Sequence, residues 1–530
     1  MIPLRRSHPH NEALRVLGET RCADQVLRLP KSGDGDWALD ATFCHEWAHY
    51  FAFSATAVGI LLSGYRRRCY EALIGAVAES PVGARRATTR PGAGAASSLY
   101  LQRLEEFNKN WLTWSNDWHV IGRRKTREVD DVNLTPNGLH VRLLGLDGVF
   151  RLPIGPSQIF ESWAWLVEVL FRVDVEEQSP GEISHRPEAL IYTWPVFALA
   201  KRRETNVDTV DLYEAANELV PHLFACLFFD GRVMSAEGKG IPSEFREVAE
   251  GLVGRGVTAG RLYWQLMRDQ PLVARDAEIP ATLDQYLVRI GLPPLSSMVA
   301  ATTTLVESTR AAFEAALDEM KTEAAARGGV LETTHIAVEL ELLRTSAGNL
   351  QKVASHIDVA LSAPILLMPY LEPPICAIEY ETHYKWIVAP HFGRSAASFR
   401  HQTARVVLRQ QWAMYEHIIE QFVFGSHVGC YGSPEWPLPL NVCPAADACL
   451  ALTERHGIEF CVDADWRRKV ASVLSPALDT SGETIVDNDL PGFGAALSEY
   501  ESWLHEPRTR DDSDEDFDAF VAGLVGRTAE

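Results

Sequence analysis

Apolar residues dominate the segment from Ala41 to Leu62, whose sequence is ATFCHEWAHYFAFSATAVGILL. A helix that is apolar on nearly all sides belongs in the core of a protein, and the preceding Asp40 is suited to cap its first turn. The pattern therefore predicts a buried helix that begins after Asp40 and breaks near Gly64. A second helix is expected over residues 65–79.

Three ionisable residues interrupt this apolar segment in the pattern HExxH: His45, Glu46 and His49. Residues four apart lie on the same face of a helix, so both histidines can bind one metal ion. Glu46 lies one step round the helix, where it can accept a proton from water. Burying three ionisable groups is costly unless they have partners, and a metal ion is such a partner. The alternative interpretation is a pair of hydrogen-bonded core histidines.

The same segment is long enough to cross a bilayer, since about 20 apolar residues suffice. Ionisable side chains near the middle of a membrane span are expensive, however. The uninterrupted apolar run after Tyr50 covers only about a dozen residues, a length more typical of a buried helix. We therefore expect no insertion into a membrane.

Hydrophobic periodicity in the rest of the chain indicates a protein that is mainly α with minor β. The predicted strands are Val26–Pro30 and the two arms of a β-hairpin, 139–144 and 149–152. Ser157 is expected to cap a long apolar helix that runs to about residue 173. Other predicted helices cover 99–110, 208–229, most of 243–351 and 399–424, and loops with short strands are expected over 363–386.

The charge composition makes some classes of binding partner less favourable than others. The chain has 530 residues, with 50 Lys and Arg against 71 Asp and Glu, and a formal net charge of −21. This acidity disfavours nucleic acid and anionic membranes as general partners. The N-terminal sequence lacks the apolar core of a secretory signal, and the nine cysteines, odd in number, are atypical of a disulfide framework. These features predict a cytoplasmic protein.

A catalytic zinc ion usually takes three protein ligands, and two later glutamates are candidates for the third. Glu71 follows His49 with 21 residues between them, and Glu161 follows with 111. Glu161 lies among apolar residues of the helix predicted after Ser157, where an unpartnered carboxylate would be costly. Glu71 has the simpler explanation of a salt bridge to the arginines that precede it. Glu161 is therefore the favoured ligand, and Glu71 is the alternative.

Several other residues are weaker candidates for a role at the metal site. Glu168 comes seven residues after Glu161 and shares its helical face, so it either orients a ligand histidine or simply borders the helix. The remaining candidates, which are more typical of a cap and of surface groups, are Asp40, His119 and His140. A donor that stabilises an oxyanion is also expected, but no pattern in the sequence identifies it.

The three residues of the HExxH motif resemble the core of gluzincin-type zinc metallopeptidases. The helix around Glu161 is similar to the ligand helix of several such enzymes, and the resemblance covers about residues 40–170. Ala52 and Ala55 stand where the metzincin motif has glycine and histidine, which excludes that class. The close-following glutamate motif of the gluzincins is absent, and an insert with a Pro/Gly-rich loop at 84–98 intervenes.

The resemblance implies a zincin-like helical metal-binding core in which His45, His49 and Glu161 hold Zn²⁺. It also implies hydrolysis of a peptide bond by a water molecule that the metal polarises, with Glu46 as the general base. We therefore expect a zinc metallopeptidase that acts on an intracellular protein. The alternatives are a catalytically inactive, zinc-stabilised interaction or scaffold protein and a metal-dependent hydrolase of a non-peptide substrate.

Four cysteines lie close together near the C-terminus: Cys430, Cys443, Cys449 and Cys461. They lack the CxxC spacing of zinc knuckles, so buried apolar cysteines are favoured over a structural zinc site in which His456 is an alternative ligand. The predicted domains are a metallopeptidase domain over 1–235, a helical region over 236–425 and a cysteine-containing subdomain with an acidic tail over 426–530. We expect this large C-terminal part to recognise a protein substrate or partner.

Overall fold

Helices make up most of the described chain, which confirms the prediction of a mainly α protein with minor β. The computed structural model describes residues 19–20, 22–30, 40–79, 126–135, 138–145, 148–179, 190–235, 241–269, 279–327, 331–379 and 384–388, together with residues 405, 409 and 412. The strands are β1 (Glu19–Thr20), β2 (Val26–Pro30), β3 (Thr126–Thr135), β4 (Gly138–Gly145), β5 (Gly148–Pro153), β6 (Ile375–Glu379) and β7 (Tyr384–Val388). The helices are α1 (Ala41–Ala55), α2 (Ala57–Glu79), α3 (Pro156–Asp174), α4 (Leu190–Arg202), α5 (Leu212–Cys226), α6 (Gly231–Met234), α7 (Ser243–Gly254), α8 (Ala259–Asp269), α9 (Ile279–Arg289), α10 (Leu295–Arg327), α11 (Leu331–Ser355) and α12 (Ile357–Ser362).

The motif helix, α1, begins where the sequence predicts it. Asp40 caps its first turn, because Oδ1 of that residue accepts a hydrogen bond from the backbone N–H of Phe43 at 2.9 Å. Nearly every side chain of α1 is buried. The helix ends at Ala55, however, well before the predicted break near Gly64, which instead lies inside α2. The prediction of that break is therefore wrong.

Thr56 explains the early end of α1. Its backbone is extended, and its hydroxyl donates to the carbonyl oxygen of Ala52 at 2.7 Å while accepting from the N–H of Gly59 at 3.1 Å. Gly59 also lets the start of α2 approach α1, because a Cβ at this position would lie 2.1 Å from Ala52 O. The two helices therefore pack directly after a one-residue connection.

A four-stranded sheet joins distant parts of the chain, in the order β1-β2-β6-β7. β1 pairs with β2 in antiparallel fashion, with Thr20 opposite Leu27. β2 pairs with β6 in parallel, with Leu27 opposite Cys376. The sheet thus unites segments on either side of the boundary predicted at residue 235, and the division into domains stays a prediction.

The predicted β-hairpin is confirmed as β4 and β5, which pair from Gly145 and Gly148 at the turn to His140 and Pro153 at the far end. These strands belong to a second, antiparallel sheet with the order β3-β4-β5. β3 was not predicted, because an irregularity between Val129 and Asp131 breaks the alternation of its apolar residues. The hairpin leads directly into α3.

The start of α3 differs from the prediction. Gly155 is the cap residue, and its N–H donates to Oε1 of Gln158 at 2.9 Å. Pro156 suits the first helical position because it has no N–H that would need a partner. The predicted cap at Ser157 is therefore wrong, although the helix ends at Asp174, close to the expected residue.

The other predicted helices agree with the structure in outline. The segment 208–229 contains the shorter α5, which Asp211 caps, and 3₁₀ turns cover Val207–Thr209 and Pro364–Tyr370. The predicted loop at 84–98, the predicted helix at 99–110, most of 399–424 and all of 426–530 lie outside the described residues.

α1 lies within one continuous hydrophobic core. Phe51 packs against Trp163 of α3 and Phe224 of α5, with ring centroids 5.8 and 5.7 Å away. Elsewhere on α1, the hydroxyl of Tyr50 donates to the carbonyl oxygen of Glu372 at 2.6 Å. The apolar character of α1 thus reflects its packing against protein. None of the helices in the described ranges is both long enough and apolar enough to cross a membrane.

Candidate metal centre

His45 and His49 lie one turn apart on α1, with their Nε2 atoms separated by 3.2 Å. Glu161 reaches the same point from α3. Its Oε2 lies 3.3 Å from Nε2 of His49 and 4.0 Å from Nε2 of His45. Within the described part of the chain, these three residues form the one group of three or more His, Cys, Asp or Glu side chains that could hold a metal ion. The structure therefore brings all three predicted ligands together.

The separations of these donor atoms fit a zinc ion. Ligand atoms about 2.0–2.1 Å from a tetrahedral zinc lie about 3.4 Å from one another. The three separations here are 3.2, 3.3 and 4.0 Å, so small side-chain shifts suffice. Two imidazoles and one carboxylate also match the donor set of catalytic zinc sites, which leave a fourth position open.

Glu161 is less buried than its apolar neighbours in the sequence suggest. Its side chain is 26% exposed, whereas the flanking Phe160 and Ser162 are buried. The side chain of His45 is also partly exposed. The carboxylate and this histidine therefore lie where the core meets solvent.

Glu168 holds the second ring nitrogen of His45. Its Oε2 lies 3.0 Å from Nδ1 of His45, and its Oε1 accepts two hydrogen bonds from Arg172, at 2.9 and 2.6 Å. When His45 is neutral, a carboxylate at Nδ1 favours the tautomer in which Nε2 is free to bind a metal. The structure therefore places Glu168 against a predicted ligand, so it does more than border the helix.

This contact determines how His45 is protonated when no metal is bound. Burial lowers the pKa of His45, but the hydrogen bond and charge of Glu168, helped by the charges of Glu46 and Glu161, outweigh burial and raise the pKa to about 9. Burial likewise raises the pKa of Glu168, and His45 and Arg172 together bring it below its ordinary value. A metal ion that binds Nε2 must therefore displace a proton.

His49 has a more apolar environment than His45. Its ring stacks on Phe53, with the centroids 6.1 Å apart. Its Nδ1 is buried and has no hydrogen-bond partner among the residues that the structure describes. His49 therefore has one ring nitrogen near the other two predicted ligands, and its second ring nitrogen is buried within the protein.

Glu46 is only 5% exposed and lies beside the two histidines. Its Oε2 accepts a hydrogen bond from the hydroxyl of Thr20 at 2.8 Å. Burial raises the pKa of Glu46 above its ordinary value, although His45 and His49 oppose this effect. A buried carboxyl group with a raised pKa is suited to accept and hold a proton.

Three residues near the site were not identified from the sequence. Thr20 of β1 contacts Glu46, and Tyr192 of α4 meets the ring of His45 edge to face, with centroids 5.6 Å apart. Both come from elements whose positions depend on the tertiary fold. Arg172 had one local signal, its spacing of four residues from Glu168, which favours an ion pair on one helix.

The other predicted site residues have separate positions. Asp40 caps α1, and His140 lies on β4 opposite Pro153. Glu71 lies on α2, but its side chain is outside the described part of the chain. The described part of the chain also does not include His119, His456 or the four C-terminal cysteines. The preference for Glu161 as the third ligand thus rests on its own position beside the histidines.

No protein-family model, curated protein or solved structure matches this chain. What the metal centre does must therefore follow from its own residues and their chemistry.

Proposed function

We propose that this protein is a zinc-dependent metallopeptidase with a zincin-like core. The observation that carries the proposal is the convergence of His45, His49 and Glu161 from two helices. These residues would hold Zn²⁺, which supplies Lewis-acid polarisation of a carbonyl group and of water. Glu168 behind His45 adds support, because a chance HExxH pattern would not require a carboxylate on the second ring nitrogen.

Glu46 is the proposed general base. It would accept a proton from the attacking water molecule and later donate that proton to the leaving amine. Its burial supports this role, since a raised pKa brings the protonated form closer to neutral pH. The hydrogen bond from Thr20 supports it further, because a fixed carboxyl group is more effective than one free to rotate.

The proposed substrate is a cytoplasmic protein. Helices α7 to α11 add much more chain than a metal site on two helices requires. Such an added region is suited to recognition of a protein substrate or partner. The formal net charge of −21 gives no support for nucleic acid as the target.

The first experiment measures metal content by mass spectrometry on purified protein. We expect one zinc ion per chain in the wild type and none in the His45→Ala/His49→Ala double variant. Glu161→Ala should weaken zinc retention, whereas Glu71→Ala should leave it unchanged. A wild-type protein that stays folded and metal-free after addition of zinc would overturn the proposal.

The second experiment tests the chemistry, with casein and a mixture of fluorogenic peptides as probes. The zinc-loaded wild type should hydrolyse at least one probe, and Glu46→Gln should retain zinc but lose the activity. Activity that survives Glu46→Gln would show that the proposed mechanism is wrong. A zinc-containing wild type that is as inactive as Glu46→Gln would instead favour a zinc-stabilised interaction protein.

A further inference from the structure

The short strand β1 brings a hydroxyl group onto Glu46. Oγ1 of Thr20 lies 2.8 Å from Oε2 of Glu46 and 3.0 Å from the backbone carbonyl oxygen of the same residue. Thr20 is partly buried and Glu46 is buried. One hydroxyl group therefore faces both the carboxyl group and the main chain of the proposed general base.

The turn that follows β1 is fixed by its own residues. Oδ1 of Asp24 accepts a hydrogen bond from the N–H of Val26 at 3.1 Å, and the Asp24 carboxylate forms an ion pair with Arg28. Gln25 has a φ of 52°, in the left-handed region that residues other than glycine rarely adopt. Asp24 and Gln25 are both buried. Such a conformation persists only where the surrounding structure enforces it.

Two buried arginines from distant parts of the chain hold the same turn. Nη1 of Arg67 donates to the carbonyl oxygen of Ala23 at 2.9 Å, and Nη1 of Arg409 donates to that of Asp24. Each arginine is also ion-paired with a buried glutamate of α11, Glu339 or Glu341. Buried charges that are paired in this way strongly resist displacement. The turn, and with it Thr20, is therefore anchored to the core.

A threonine hydroxyl has one proton to donate and two lone pairs that accept. When Glu46 is ionised, Thr20 can donate its proton to Oε2. The backbone carbonyl oxygen of Glu46 is the second acceptor that the same hydroxyl can reach by rotation. Both acceptors are within hydrogen-bond distance without movement of the backbone.

We propose that Thr20 is a positioning residue that holds the carboxyl group of Glu46 in one orientation through the hydrogen bond to Oε2. Thr20 occupies Oε2, so Oε1 is the oxygen that exchanges the proton with water and the leaving amine. The proton stays on Glu46 between the two transfers and no other group is consumed. This inference rests on the proposed function, since it assigns Thr20 to the same site.

The test compares Thr20→Val, which lacks the hydroxyl, with Thr20→Ser, which keeps it. The matched control is Thr304→Val, because the exposed Thr304 hydroxyl of α10 also donates to a backbone carbonyl, that of Ala300 at 3.1 Å. Each protein is labelled with ¹³C at the glutamate carboxyl carbon. The Glu46 signal is assigned by its disappearance in Glu46→Gln. Spectra are recorded with and without zinc, next to casein hydrolysis.

The Glu46 signal should move in Thr20→Val and stay near its wild-type position in Thr20→Ser and Thr304→Val. For casein, kcat should fall about tenfold to a hundredfold in Thr20→Val, as expected for loss of a hydrogen bond to a charged group, with KM and zinc content unchanged. Thr20→Ser should restore most of the loss.

Two outcomes separate this inference from the proposed function. A Glu46 signal that is unmoved in Thr20→Val, or kcat that equals the wild-type value, would overturn the role of Thr20 and leave the peptidase intact. A wild type without hydrolysis above that of Glu46→Gln would overturn the proposed function. The carboxyl signal still reports the Thr20 contact in that case, and an equal shift in the Ser and Val variants would rule out a role for the hydroxyl.

Discussion

Oε2 of Glu168 lies 3.0 Å from Nδ1 of His45, so a carboxylate on α3 orients a proposed metal ligand on α1. Arg172 holds that carboxylate through its other oxygen. Glu161 comes from the same helix, which therefore provides both a proposed ligand and the support for another. The geometry of the site depends on how α1 and α3 pack, and not on the HExxH segment alone.

Loss of this support should weaken zinc binding. We expect Glu168→Ala to lower zinc affinity about 10- to 100-fold, the usual effect of removing such a partner. Glu168→Gln should have a smaller effect, because its amide oxygen can still accept the hydrogen bond from Nδ1 of His45. Competition with a chromophoric chelator measures both affinities.

Glu176→Gln is the matched control for this charge change. Oε1 of Glu176 accepts from the backbone N–H of Ala41 at 3.2 Å, so it lies near the start of α1 but contacts neither histidine ring. Its zinc affinity should equal that of the wild type. Equal losses in Glu168→Gln and Glu176→Gln would mean that net charge, rather than the contact with His45, determines zinc affinity.

The raised pKa of His45 predicts a pH dependence in the metal-free protein. Its folded-state pKa of about 9 exceeds the unfolded value of about 6.5. The ion pair with Glu168 therefore contributes its full stability below pH 6.5, and this contribution is lost as the pH rises through 9. The wild type should therefore be more stable than Glu168→Gln, and this difference in stability should shrink as the pH rises through this range. Thermal unfolding in the presence of a chelator measures the difference.

Zinc affinity should change in the opposite direction. Because zinc must displace the proton on Nε2 of His45, the affinity should increase from pH 6.5 to about 9. Chelator competition at several pH values measures this increase. A zinc affinity independent of pH in that range would show that His45 binds no proton that zinc must displace.

Local patterns predicted the three residues that the structure brings together at the candidate metal centre. The HExxH spacing placed His45 and His49 on one helical face. The apolar run around Glu161 directed attention to this carboxylate, although its side chain is 26% exposed and so less buried than that run suggests. Asp40 was identified as a cap because that interaction spans only three residues. These features depend on helical geometry, which nearby residues determine.

Other features depend on contacts between distant residues. Thr20 reaches Glu46 only because two arginines hold β1 and the turn after it. One is Arg67 of α2, and the other is Arg409. The break between α1 and α2 depends on the Thr56 side chain, which forms hydrogen bonds with both helices. It also depends on a distant residue, because the N–H of the nearby Val58 donates to the carbonyl oxygen of Leu227 at 2.9 Å. No periodicity of the local sequence contains this information.

The close approach of α1 and α2 gives a prediction about stability. In Gly59→Ala, the added Cβ would lie 2.1 Å from Ala52 O, which is backbone and cannot rotate away. The two helices must separate, and we expect the free energy of unfolding to fall by about 1–3 kcal/mol or more. Urea denaturation followed by circular dichroism measures the difference.

Gly251→Ala is the matched control, since Gly251 lies inside α7 and an added Cβ would meet no atom within 4 Å. Alanine favours a helix there, so this variant should be as stable as the wild type or more stable by up to about 1 kcal/mol. If Gly59→Ala is also neutral, the packing of α1 on α2 tolerates more space than the structure indicates.

Glu341 of α11 gives the last prediction, because it is buried between two arginines. Arg405 donates to its Oε1 at 2.7 Å, and Arg409 forms an ion pair with Oε2. Burial alone would raise the pKa of Glu341, but Arg409 and Arg405 outweigh it and hold the pKa below its ordinary value. Glu341→Gln would remove the buried anion that both arginines share and leave Arg405 only its 3.7 Å ion pair with the more exposed Glu372. We therefore expect a loss of about 3–5 kcal/mol in unfolding free energy at pH 7.

The pH dependence of this loss follows from the lowered pKa. The carboxylate contributes its stability above the ordinary glutamate pKa of about 4.3, and the contribution disappears as the pH falls through the lower folded-state value. The difference between the wild type and Glu341→Gln should therefore shrink below about pH 4. Glu307→Gln, at a partly exposed ion pair with Arg310, should change stability by less than about 0.5 kcal/mol at either pH. A Glu341→Gln protein as stable as Glu307→Gln at pH 7 would show that Arg409 does not need this anion to hold the turn after β1.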